Sequence, residues 1–353
     1  MMLLPSTHPL SLLFIFLLHS LPSCTAARLV PEFPFRELTV STVNNYNRIL
    51  SSKRGSRVNG LSEIKKYFHY MGYLGSLDCN ISDDIFDAKL ESAIEHYQSR
   101  LGLQVTGKLD HDTVSQILAP RCGVPDGQSP PTLHATKNYV YFPGKPRWAR
   151  RIPMILTYGF SPDNAYHHLS LSDIRKTFKR AFSRWASVIP VSFVEADDYG
   201  FADIKIGFYS GDHGDGEPFD GVLGILAHSF SPESGKLHLD AAETWAVDFG
   251  VEKSDVAVDL ESVAVHEIGH LLGLAHSPVK TAVMYPSLKP REKKVDLSID
   301  DIQGVQSLYG SNANFTFASL LESDTSANPA FGLRFEPSLS AMSMFLAASF
   351  FCL

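Results

Sequence analysis

Three histidines, a glutamate and a glycine at fixed offsets constrain this chain more than any other feature: His266-Glu267-Ile268-Gly269-His270-Leu271-Leu272-Gly273-Leu274-Ala275-His276. Residues four apart share one face of a helix, so His266 and His270 can point at one ion. Gly273 follows three residues later, where it lets the backbone turn sharply and bring His276 back as a third ligand. Three imidazoles leave one tetrahedral position open for water, as a catalytic zinc requires. Glu267 is one residue past His266, within reach of that water without displacing a ligand, and is the candidate general base. A bare His-Glu-x-x-His arises by chance in roughly a few per cent of chains this long. The added Gly and His lower that by a factor on the order of a few hundred, so incidental histidines on a structural helix are a poor account.

The 353 residues, 44% hydrophobic and 20% charged, can bury one large core or two smaller ones. The net charge of -7 argues against a nucleic-acid binder. Residues 1–27 read as a signal peptide: an apolar run over 10–21, too short to span a bilayer, precedes Thr25-Ala26-Ala27 and a cut after Ala27. Of the four cysteines, Cys24 leaves with that segment and Cys352 lies in an apolar tail. Cys79 and Cys122 are too few for a disulfide scaffold, so stability must come from a core and from metals. Asn80-Ile81-Ser82 and Asn314-Phe315-Thr316 match the N-glycosylation acceptor pattern, consistent with a secretory route.

Within residues 28–138, about 55–120 read as a small helical domain. Leu61, Ile64, Tyr67 and Phe68, then Leu90, Ile94 and Tyr97, then Val114, Ile117 and Leu118 recur at helical spacing, which predicts three short helices. Residues 123–138 are rich in Gly, Pro and polar side chains, a linker composition open to proteolysis. Residues 139–310 mix the two periods. Strands are expected at 155–158, 191–194, 204–208, 227–230 and 237–245. Helices are expected at 171–188, with Ser172-Asp173 at its start, at 260–272 and at 298–309. The expected class is α+β, a sheet with helices packed on it.

With these residues in view, the chain resembles the metzincin metalloproteases. Val283-Met284-Tyr285-Pro286 looks like their Met-turn, in which Met284 forms an apolar floor beneath the metal. Pro120-Arg121-Cys122-Gly123-Val124-Pro125-Asp126 resembles the cysteine switch of the matrix metalloproteinases. A thiolate is a strong zinc ligand, so Cys122 in the open position would displace the water, while Arg121 and Asp126 can pair and hold the loop. The stretch from His213 to Glu243 resembles the family's structural metal region. That resemblance implies a closed structural zinc site on His213, Asp215, His228 and His238. It also implies a calcium site on Asp220, the backbones of Gly221, Leu223 and Ile225, and the carboxylates of Asp240 and Glu243. Asp203 matches one acid of a second calcium site, but Lys236, which repels a cation, stands where another acid is expected.

The resemblance covers about residues 55–310. It implies a zincin-like catalytic domain over 139–310, a twisted, mixed, mostly parallel sheet with three helices, preceded by a three-helix pro-domain similar to peptidoglycan-binding domains. Too few residues follow Gly310 for a hemopexin-like propeller, which is similar to the plant members. Two zinc ions and at least one calcium ion are the implied cofactors. The implied partners are protein or peptide substrates and the chain's own pro-domain as inhibitor, with no nucleic acid, for a monomer. The family cuts before hydrophobic residues, and the small Ser262, where it lines that pocket, would leave the pocket deep. Tyr139 resembles the mature start, its ammonium pairing with Asp300. Residues 323–328 are small and polar, 329–336 form a spacer and 337–353 are mostly apolar. That order is the one for a GPI-anchor signal, which would hold the enzyme on the outer face of the plasma membrane. A wall-binding module with a decaying enzyme attached is the main competing reading, and Glu267 and Cys122, which a dead enzyme needs neither of, weigh against it. A zinc-dependent structural protein is the other, and a hydrolysis assay separates both.

Overall fold

A computed structural model describes residues 43–75, 81–126 and 139–316. The signal segment, Cys79, Asn80, most of the linker and the tail that reads as an anchor signal lie outside those residues.

The N-terminal part is helical: α1 (Tyr46–Leu50), α2 (Leu61–Tyr70), α3 (Ala88–Arg100) and α4 (His111–Ile117). Asp87 and Asp110 cap α3 and α4 by accepting the Leu90 and Thr113 N–H groups at 2.8 and 2.9 Å. The apolar stripes of α2, α3 and α4 close one core around Phe68, Leu90, Tyr97 and Val114. The first helix was not expected. Ile49 is fully buried in that same core, so the domain begins before residue 55. One buried side chain in a five-residue helix leaves no periodicity to read.

The second part is α+β. A six-stranded sheet has the order β1-β6-β7-β5-β3-β4, from β1 (Arg121–Cys122), β3 (Met154–Phe160), β4 (Val191–Glu195), β5 (Ile204–Tyr209), β6 (Ile225–Ser229) and β7 (Lys236–Asp240). Only β6 and β7 pair antiparallel; the other neighbours are parallel. Against it pack α5 (Leu171–Val188) and α6 (Leu260–Leu271), with α7 (Ile299–Tyr309) last. The stripe of α5 runs through Ile174, Phe178, Phe182 and Trp185, and the Trp185 indole donates to Val265 O at 2.9 Å, pinning α5 to α6. Its cap is Ser170, not Ser172-Asp173: the Ser170 hydroxyl accepts the Asp173 N–H, and Leu171 stays exposed. Every residue of α6 is buried, which is why its sequence shows little amphipathic contrast.

Two further expectations need correcting. The strand expected over 237–245 stops at Asp240, whose carboxylate accepts the Ala242 and Gly221 N–H groups and turns the chain. Trp245–Ala246 (β8) then pairs with Val258–Asp259 (β9). The switch stretch, expected as a loop, supplies β1 at the sheet edge: Arg121 N–H donates to Gly224 O and Gly123 N–H to Ala227 O, at 2.9 and 2.8 Å. The remaining short pair joins β2 (Val140–Tyr141) to β10 (Leu274–Ala275). Among the described residues no helix is long and apolar enough to cross a membrane.

Candidate metal centre

Asp259 opens α6 by accepting the Ser262 N–H at 2.8 Å, and the helix carries His266, Glu267 and His270 into the core. Gly273 (φ +102°) ends it, and a Cβ there would lie 2.2 Å from Pro146 O. The chain then returns His276. Imidazole nitrogens of the three histidines and the Cys122 Sγ all lie within 4.8 Å of one another, every one of these residues buried.

The hydrogen bonds fix what these nitrogens can offer. His266 Nδ1 donates to Val283 O at 2.7 Å, His270 Nδ1 to Leu274 O at 2.8 Å and His276 Nδ1 to the Asp126 carboxylate at 2.7 Å. Those acceptors place the protons on Nδ1 and leave lone pairs on Nε2. Burial holds His266 and His270 well below the usual imidazole range and lowers His276 as well, so the rings are neutral. Yet His270 Nε2 lies 3.2 Å from His276 Nε2 and 3.4 Å from Cys122 Sγ, and His266 Nε2 is buried with no protein partner. Converging lone pairs are repulsive unless a cation lies among them, and three imidazoles with a thiol are a zinc donor set. Burial and the Glu267 carboxylate push the Cys122 thiol well above its usual value, an opposition that a cation relieves.

Glu267 is fully buried and neither of its oxygens has a standard hydrogen bond. Burial pushes it up to about 7, against the pull of the nearby Cys122 and Ser229 groups. Met284 lies under α6. A Cβ on Gly269 would sit 2.2 Å from Met284 Sδ, so only glycine fits between the two histidines. Asp301 of α7 holds that turn by accepting the Val283 and Met284 N–H groups at 2.9 and 3.1 Å, while also closing the capping box with Ser298. Sequence reasoning missed Gly269 and Asp301. The capping box was legible, but nothing local says that its carboxylate also serves a turn in another segment.

Cys122 is presented by a fully buried ion pair, Arg121 to Asp126 at 2.7 Å. Arg121 also donates to Tyr67 OH at 2.9 Å, and Tyr73 OH donates to Asp126 at 2.7 Å, so the helical domain grips both charges. Arg100 reaches the Asp126 carbonyl. Burial opposes the Asp126 charge, but Arg121 and His276 outweigh it and hold the carboxyl far below its usual range. Gly123 admits no side chain, since a Cβ would lie 2.6 Å from Ile225.

A second cluster, His213, Asp215, His228 and His238, also has its ligand atoms within 4.8 Å of one another. One oxygen, Asp215 Oδ2, lies 2.9, 2.8 and 2.7 Å from ring nitrogens of the three histidines. His213 Nδ1 is engaged by Gly211 O at 3.0 Å, so in the neutral ring its Nε2 has no proton for that oxygen. Three nitrogens crowding one carboxylate oxygen suit a bound cation better than hydrogen bonds. Phe219 stacks on His213 and His228 and joins the core of the helical domain.

Beside it, Asp220, Asp240 and Glu243 accept the N–H groups of Ile225, Gly221 and Leu223. Asp220 Oδ2 and Glu243 Oε2 remain buried without a protein partner. Burial raises the three carboxyls to about 7, 6 and 8, respectively, and the acids also repel one another. A divalent cation with oxygen ligands fits such a loop. Asp203 is otherwise engaged, by the Thr157 amide and hydroxyl at 2.9 Å and by Arg150 at 3.5 Å. Asp300 takes the Ser277 hydroxyl at 2.7 Å and a hydrogen bond from the Tyr139 backbone. Asn314 is exposed.

A sheet-and-helix fold with a helical His-Glu-x-x-His, a returning third histidine and a buried free carboxylate defines a metalloendopeptidase. A matrixin family model matches residues 147–310 and a peptidoglycan binding domain model matches residues 57–117. The chain is 63% identical over 276 residues to "Metalloendoproteinase 4-MMP" of Arabidopsis thaliana, covering 78% of this chain and 79% of that protein. It is 51% identical over 328 residues to "Metalloendoproteinase 1-MMP" of the same plant, covering 90% and 89%. To human "Matrix metalloproteinase-20" it is 42% identical over 221 residues, covering 62% of this chain and 41% of that protein. The chain belongs to the matrixin family of zinc-dependent metalloendopeptidases, as a plant-type matrix metalloproteinase.

Proposed function

We propose that this chain is made as a latent, secreted zinc endopeptidase that cuts extracellular matrix or cell-surface proteins before residues with large apolar side chains. His266, His270 and His276 hold the catalytic zinc, Cys122 fills its fourth position in the precursor, and Glu267 is the general base. The observation that carries this reading is the convergence of three buried imidazole lone pairs and one thiol beside an unpaired carboxylate.

Zinc bound there supplies a Lewis acid for the scissile carbonyl and for water. Glu267 takes the proton of the attacking water and returns it to the leaving amine. The backbone acceptors Val283 O and Leu274 O keep the His266 and His270 lone pairs aimed. His276 differs, because its acceptor, Asp126, belongs to the switch, and departure of the switch frees both the open position and that imidazole.

His213, Asp215, His228 and His238 are assigned a second, structural zinc. The acids Asp220, Asp240 and Glu243, with the Gly221, Leu223 and Ile225 backbones, are assigned a calcium. Residues 1–27 are the signal, 28–138 the pro-peptide and 139–310 the catalytic domain of a monomer. The final cut is placed before Tyr139, where the new ammonium meets Asp300. Residues 311–353 are a linker and GPI-anchor signal that would keep the enzyme at the outer face of the plasma membrane. Asn80 and Asn314 are assigned as glycosylation sites.

The test compares intact precursor with Cys122→Ser on a broad peptide library. The precursor should be inert until treated with a thiol-reactive mercurial, and Cys122→Ser should cut peptides or itself without it. Chelation should abolish that activity and zinc restore it. A fully latent Cys122→Ser precursor would sink the switch assignment.

A further inference from the structure

Ser229 is the last residue of β6, and the fold makes no use of its hydroxyl. The residue is 5% exposed, and its Oγ is buried with no hydrogen bond of standard geometry. A buried hydroxyl without a partner opposes folding, so a serine where alanine would pack as well calls for a reason. Its backbone is well held, opposite Leu237 in the antiparallel register of β6 and β7. Side chains alternate along a strand, so Ala227 and Ser229 share the face opposite His228. His228 enters the second cluster, while β6 also packs against α6, with Ala227 in the core they share.

Glu267 of α6 is the neighbour that matters. Burial raises its carboxyl, and two side chains pull the other way through hydrogen bonding, Cys122 and Ser229. Both carboxylate oxygens are nevertheless buried without a bond of standard geometry. Two complementary orphans thus meet across the seam between β6 and α6: an O–H donor and an acceptor with two oxygens. In the precursor the Cys122 thiol acts on the same carboxyl. Once the switch stretch leaves, only Ser229 of those two remains beside it.

We propose that Ser229 is a positioning residue for the general base: its hydroxyl donates to one oxygen of Glu267 and so turns the other toward the attacking water. This rests on the endopeptidase reading above and deepens it. A carboxylate bonded through one oxygen keeps the second free to take the proton and return it to the leaving amine without rotating. The donor is carried by a paired strand rather than a loop, which is what holds such a geometry within tight limits.

The experiment uses the full chain, loaded with zinc and activated by a thiol-reactive mercurial. Ser229→Ala removes the hydroxyl and leaves the methylene packing in place. Its kcat on a peptide substrate should fall about ten- to a hundredfold, the range for one hydrogen bond to a charged group, with KM within about twofold and zinc content unchanged. Ser229→Thr, which keeps the hydroxyl, should retain kcat within a fewfold. A binding measurement isolates the contact. Acetohydroxamate chelates zinc and passes its hydroxyl proton to an adjacent base, so its Kd reads the orientation of Glu267 without turnover. Ser229→Ala should weaken that Kd about tenfold in the wild-type background and leave it nearly unchanged in Glu267→Gln, a coupling that two independent sites do not show. An unchanged kcat in Ser229→Ala, or an equal loss of affinity in both backgrounds, would overturn the proposal. If the activated wild type cut no peptide, the endopeptidase reading would fail and this role with it, whereas uncoupled Kd values in an active enzyme would sink the positioning role alone.

Discussion

Gly269 shows how much of the centre is decided one atom at a time. It sits between the two helical histidines, where a methyl group would collide with Met284 Sδ and approach Trp185. Gly269→Ala should therefore displace Met284 or tilt α6, costing about 1–3 kcal/mol of stability. Calorimetry should show a lowered Tm, and the purified protein should hold less zinc than wild type; an unchanged Tm and full zinc content would contradict the packing account. At this scale the histidines, Glu267 and Cys122 were legible because their spacing is itself the chemistry. Gly269 and Asp301 were not, because what they touch lies in distant segments. Met284 is 15 residues from Gly269, and Asp301 is 17 residues from Met284. A hydrophobic or capping pattern says that a residue is buried or starts a helix, never which neighbour it meets.

Among elements, the stretch proposed as the switch is a strand set between β6 and Pro286 and held by the Arg121–Asp126 ion pair. Asp126→Ala removes the counter-ion of a fully buried guanidinium and the acceptor of His276. Loss of one partner of such a pair costs about 3–5 kcal/mol. The uncleaved precursor of this variant should hydrolyse peptides where wild type does not, and a variant as latent as wild type would show that the ion pair does not hold the thiol in place. The helical domain has its own charge anchor. Lys65 is buried and pairs with Asp83 and Asp87 at 2.7 and 2.8 Å. The Lys65 hydrogen bond lowers the Asp83 carboxyl, and at Asp87 the same ammonium outweighs burial. Carboxyls depressed on folding stabilise the domain above their unfolded values, near pH 4, and that contribution is lost as pH falls through the depressed values. Protection factors of the α2 and α3 amides should fall less between about pH 5 and about pH 3 in Lys65→Met than in wild type, because the variant lacks the linkage. Element type was largely readable, since α5 carries a strong helical period and β3 and β5 are short apolar-rich runs too brief for helices. The edge strand of the switch was not, because two residues of pairing leave no alternation to detect.

Across the whole molecule, the helical domain and the catalytic domain share side chains: Phe219 and Ile225 of the metal region pack in the helical core, and Gln116 donates to Ser287 at 2.6 Å. Removing the helical domain would thus uncover apolar surface beside His213, His228 and His238 as well as beside His266, His270 and His276. The proposed anchor is a property of the chain beyond the described residues. Treating intact cells with a phosphatidylinositol-specific phospholipase should release the enzyme, whereas a mature protein that still yields a peptide containing Cys352 would rule the anchor out. The central claim is that Glu267 is the base beside a three-histidine zinc. Glu267→Gln keeps the size of the side chain and removes its charge, so the activated variant should bind zinc as wild type does, fold normally and lose kcat/KM by several orders of magnitude on the order of removing a general base and its oriented water. Zinc-replete Glu267→Gln enzyme with activity within tenfold of wild type would contradict it.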